Sequence, residues 1–102
     1  MGIELKDILN KSKTIEVEHE GDTYIIEFST AFYTPKVHIK LTSGDENALD
    51  LQLDMVVNAI KSWNVEDKGK MVKPTRELFE NDLGLALVNA IYLAMESAVF
   101  PK

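Results

Sequence analysis

Apolar and polar residues alternate along Thr14–His19, and a second run rich in β-branched and aromatic residues follows at Thr23–Phe28, with Glu20, Gly21 and Asp22 between them. Successive side chains of a strand point to opposite faces, so two such runs across a short glycine-bearing break predict a β-hairpin. Ile15 and Val17 share one face and Glu16 and Glu18 the other, which lets one side cover a core while the other meets water. Val37–Thr42 alternates as well and predicts a third strand. Between these runs Pro35 removes a backbone donor and holds Thr34 extended, so Ser29–Lys36 reads as a break. Three strands with one apolar face suffice to support helices.

The period then changes. Leu49, Leu53, Val56, Ile60 and Trp63 are spaced four, three, four and three apart, which predicts one amphipathic helix over Leu49–Trp63, with Ser43 or Asp45 as its cap. Asp50 and Asp54 fall on its wet side, where two acids four residues apart mildly repel. The polar turn Asn64–Lys70 follows, in which Gly69 is expected to take the positive φ after a type I turn. Thr75 is a predicted N-cap with Glu77 in the first turn of a short helix through Leu78 and Phe79, and Asp82 beside Gly84 is a second cap or a kink. At the other end of the chain Ile3, Leu5, Ile8 and Leu9 mark about two helical turns, short enough that they either dock or fray.

From Leu83 to Phe100 the apolar residues wrap most of the circumference of a helix, leaving Asn89, Tyr92 and Glu96 as a narrow strip. Such a helix must be covered on most sides, and a chain of 102 residues offers little to cover it with. Two readings stay open: it is the core helix of the domain, or Leu87, Ile91, Met95, Val99 and Phe100 form a stripe for self-association or for an apolar partner helix. Interrupted by Asn89 and Glu96, it falls short of the roughly 20 apolar residues of a membrane span. The expectation is a single α+β domain over residues 1–102, a hairpin or three-stranded sheet followed by about three helices.

Composition narrows the function. The formal charge is −6, with five basic and seven acidic side chains in residues 1–44 and six and ten in residues 45–102, so no basic patch hides behind the average. A nucleic-acid backbone is therefore not the expected partner. The absence of cysteine removes disulfides, thiolate ligands and thiol nucleophiles, and with no cationic segment leading into an apolar one at the N-terminus the expected compartment is the cytoplasm. His19 and His38 are too few for a metal site without carboxylate help, and the acids around Asp50 lack the order of a calcium loop. Ser43-Gly44 is no nucleophile elbow and Asp67–Lys70 no phosphate loop. Neither an enzyme nor a cofactor is expected.

Ser62–Lys70 followed by Val72–Leu78 resembles the signature of the tail assembly chaperones of long-tailed phages and prophages. In these a helix ends in a Trp-Asp/Asn-hydrophobic run, an acidic glycine turn follows, and Pro-Thr opens a short helix before an apolar C-terminal one. Trp63, Asp67, Gly69, Pro74 and Thr75 are the structural residues of that motif here, and Thr34-Pro35 and the N-terminal hairpin are also similar. The likeness spans roughly residues 14–100 and rests on about fifteen positions. The alternating run Val37–Leu41 departs from it, standing where an earlier helix or loop is expected.

The resemblance implies a non-enzymatic, oligomeric protein that binds the long, largely helical tape measure protein in the host cytoplasm. It would keep that client soluble, help to recruit tail-tube subunits, and leave before the virion matures. It also implies a gene pair with a frameshifted longer product, with which an end at Pro101-Lys102 is compatible. The alternative is a structural tail or head-tail connector component retained in the particle.

Overall fold

The computed structural model describes residues 2–44 and 47–100. In chain order it contains α1 (Leu5–Leu9), β1 (Ser12–His19), β2 (Asp22–Ser29), a 3-10 turn (Thr30–Phe32), α2 (Pro35–Thr42), α3 (Ala48–Ala59), β3 (Ile60–Trp63), β4 (Glu66–Asp67), β5 (Lys70–Met71), α4 (Arg76–Asn81) and α5 (Leu85–Val99). The fold is α+β, with a three-stranded antiparallel sheet in the order β1-β2-β3 and a separate two-stranded hairpin, β4-β5.

The predicted hairpin is present. Strands β1 and β2 pair from Ser12↔Ser29 to His19↔Asp22, which leaves Glu20 and Gly21 as a two-residue loop, both at positive φ (+50° and +85°). This is the turn whose twist matches that of paired strands, and the reason a glycine stands there. One sheet face buries Val17, Ile26 and Phe28. On the opposite face Glu27 accepts hydrogen bonds from Ser12 Oγ (2.9 Å) and Ser62 Oγ (3.3 Å), tying all three strands on the wet side.

The third strand is not the predicted one. Val37–Thr42 lies in helix α2, because Thr34 acts as N-cap, its Oγ1 accepting from Val37 N at 3.3 Å, and Pro35 occupies the first turn, where a missing N–H costs nothing. Val37 and Leu41, four apart, pack against the core, while Ile39 between them is exposed. An alternating run contains that i, i+4 pair, which is why the pattern suits either structure.

Strand β3 comes instead from the end of the predicted central helix. Helix α3 stops at Ala59, and Ile60 turns extended (φ −69°, ψ 121°). The pairing runs Ile26↔Trp63, Glu27↔Ser62 and Phe28↔Ile60, which leaves Lys61 as an extra residue on β3. That bulge is what lets Ile60 and Trp63, three apart, both face the core. Of the apolar positions read for a helix, Ile60 and Trp63 thus stay buried in a different backbone, while Leu49, at the other end of the run, is exposed. Ser43 closes α2 and does not cap α3, and the other candidate cap, Asp45, lies outside the described residues.

The core lies between the sheet and helices α3, α4 and α5, with α5 laid across β1. It comprises Val17, Ile26 and Phe28 from the sheet, Met55, Val56 and Ala59 from α3, Ile60 and Trp63 from β3, and Phe79 from α4. Helix α5 adds Leu87, Val88, Ile91, Tyr92 and Met95.

Candidate functional site

The segment Trp63–Leu78 folds as one structural unit. The Trp63 indole stacks on Phe79 and its Nε1 donates to Val72 O at 2.6 Å. Between them the chain makes the β4-β5 hairpin, in which Asp67 pairs with Lys70 and Lys68 and Gly69 both take positive φ (+54° and +81°). The turn is therefore of the primed hairpin type, with two positive-φ residues and not the single one expected from the sequence. Val72 N donates to Val65 O at 2.9 Å and closes the hairpin. Pro74 is half-buried, and the Thr75 hydroxyl caps α4 by accepting from Leu78 N at 3.1 Å, as predicted.

Helix α4 then fastens this unit to α3. The Arg76 guanidinium contacts Asp50 and Asp54 of α3 together with Glu80 one turn along its own helix. The two acids expected to repel each other bracket a cation instead, and hydrogen bonds to Asp54 first, then Asp50, raise the Arg76 pKa above its ordinary value. Trp63, Asp67, Gly69, Pro74 and Thr75 build the fold, as joint, turns and cap.

The α5 stripe divides. Leu87, Ile91 and Met95 are core residues, the last two wholly inaccessible, and Val99 packs partly against them. They cannot serve as a docking surface on the folded chain, because the sheet already covers that face. Of the five only Phe100 is substantially exposed, at 51%. The outward apolar positions of the helix are Leu85 and Leu93.

Exposed apolar surface gathers elsewhere. Ile3, Leu5, Ile8 and Leu9, in and just before α1, are 46–79% exposed, and none packs into the core. Helix α1 touches the 3-10 turn, and Thr30 N donates to Lys11 O at 3.1 Å, so this apolar segment sits beside the start of the sheet. Lys13 Nζ donates to Ala98 O at 2.7 Å, which brings the end of α5 to the same end of the molecule.

There an aromatic groove of about 680 Å³ opens between α2 and the end of α5, lined by Tyr33, Pro35, His38, Thr42, Glu96 and Phe100. Tyr33 meets Phe100 edge-to-face at 5.2 Å, and its hydroxyl is hydrogen-bonded to His38 Nδ1 at 3.1 Å. Phe32 continues the row, edge-on to both Tyr33 and Phe28. Glu96 is half-buried and accepts from the Tyr92 hydroxyl at 2.8 Å. Burial, and then the bond to Glu96, push the Tyr92 phenol well above its ordinary range. The groove joins residues far apart in the chain, and the only sequence signal for it is the aromatic run Phe28, Phe32, Tyr33 ahead of Pro35.

His38 lies on α2 and not on a strand, and His19 ends β1 beside Glu20. Among the described residues no group of three or more His, Asp or Glu side chains could hold a metal ion, and no helix is long and apolar enough to cross a membrane. No protein-family model, curated protein or solved structure matches the chain.

Proposed function

We propose that the protein is a non-catalytic assembly chaperone of a long-tailed phage or prophage, which holds the tape measure protein in the host cytoplasm and helps bring tail-tube subunits to it. The observation that carries this reading is the apolar segment Ile3–Leu9, four large side chains exposed at one end of a domain whose core is complete without them. Apolar surface on an acidic, self-repelling chain suits a protein that covers a client while staying soluble. The docking surface moves from the predicted α5 stripe to α1 and Phe100. Helix α2 also stands where the resemblance implies a helix or loop. We further propose that the free protein self-associates through the same apolar end, since such patches on monomers seldom stay bare.

Co-expression with the tape measure protein that the proposal expects to be encoded beside it tests the proposal. The expected result is a soluble complex that the double variant Leu5→Asp/Leu9→Asp fails to form while still folding. A client equally soluble and uncaptured with or without this chain overturns it. Detection of the chain in purified particles would favour the retained structural component.

A further inference from the structure

We infer that the groove between α2 and the end of α5 is a recognition site for an arginine side chain carried by a partner polypeptide. Its lining is mostly aromatic and apolar by area, with Thr34, Thr42 and His38 as further polar residues and Glu96 as the one carboxylate, so the chemistry of the occupant is constrained. An apolar occupant would strip water from a half-buried carboxylate and give nothing back, which is costly. A cationic occupant restores the lost hydration with a charge-assisted hydrogen bond. Among the described residues no lysine or arginine lines the groove or forms an ion pair with Glu96.

The carboxylate is also held in place. Tyr92 donates to Oε2, and Oε1 has no hydrogen bond from any described residue. The Tyr33 and Phe100 rings, edge-to-face at 5.2 Å, offer π surface on the same groove. A guanidinium fits both features better than an ammonium, because it is planar, stacks on aromatic rings and is more weakly hydrated. The volume of about 680 Å³ lies in the range of small-molecule sites and leaves room for the alkyl stem and flanking backbone. The inference goes beyond the proposed function, since it holds for whichever polypeptide carries the arginine.

The test is a titration of the ¹⁵N-labelled full chain with N-acetyl-arginine methylamide, alongside its citrulline counterpart, which has the same shape without the charge. The expected result is saturable movement of the Tyr33, His38 and Phe100 amide signals by the arginine compound, with binding by citrulline about tenfold weaker. Glu96→Gln keeps an acceptor for Tyr92 and should weaken arginine binding by about tenfold. Phe100→Leu keeps the carboxylate and should weaken it by about fivefold. Equal binding of the two compounds reduces the site to an apolar groove and overturns the inference. So do shifts confined to Asp50, Asp54 and Glu80, or no shift at all. Because the probe is not the tape measure protein, none of these outcomes decides the chaperone reading.

Discussion

The indole of Trp63 lies almost parallel to the ring of Phe79, with centroids 5.5 Å apart and planes 14° from one another. The stack joins the last residue of β3 to α4, and the Nε1 bond to Val72 adds the intervening loop to the same joint. Trp63→Ala removes the stack, the hydrogen bond and a buried side chain together. We expect it to cost about 3–5 kcal/mol in urea denaturation. An unchanged midpoint would remove Trp63 from the core.

The two sides of α5 should respond oppositely. Met95 is wholly buried, so Met95→Ala should cost about 2–5 kcal/mol, and Leu87→Asp should prevent folding by burying an unpaired charge. Leu93 is half-exposed, and Leu93→Asp should change stability by no more than about 0.5 kcal/mol. Thermal melts of the three variants check this. A folded Leu87→Asp protein, or a damaging Leu93→Asp, would reverse the assignment of faces.

Glu20 holds positive φ without the tolerance of glycine or asparagine for it. Glu20→Asn would make the Asn-Gly pair that two-residue hairpins prefer, and should stabilise by about 0.5–1 kcal/mol. Chemical denaturation measures it; a loss of stability would mean that Glu20 contributes something its backbone geometry does not reveal.

Tyr92 connects the core to alkaline pH. Its folded pKa is raised, so the native state keeps the phenol proton while an unfolded tyrosine releases it near pH 10. The native state then binds more protons than the unfolded state, and stability falls as pH rises past the unfolded value. Tyr92→Phe cannot lose that proton. The variant should start less stable, without the bond to Glu96, yet decline less steeply between about pH 9 and pH 11. Parallel declines for the two proteins would show that Tyr92 titrates freely.

The structure bears out the sequence reading wherever short-range pattern and local chemistry agree. The hairpin is written in Thr14–Phe28 and its Glu20-Gly21 turn, and the α4 cap in Thr75. The α2 helix was also legible, since Thr34-Pro35 is a cap followed by a first-turn proline, but the alternation of Val37, Ile39 and Leu41 outweighs that signal on paper. The aromatic groove was almost illegible, because Tyr33 and Phe100 are 67 residues apart and meet only after folding.

The order of apolar and polar side chains determined the α+β class and most helix and turn positions, because these depend on neighbours within a few residues. Tertiary structure alone decided that Ile60–Trp63 would leave the helix, where a vacant β2 edge offers ladder hydrogen bonds and a bulge keeps both large side chains inward. It also decided which side of α5 is core. A helix apolar nearly all round states only that it needs covering, and the side on which the sheet lies settles the rest.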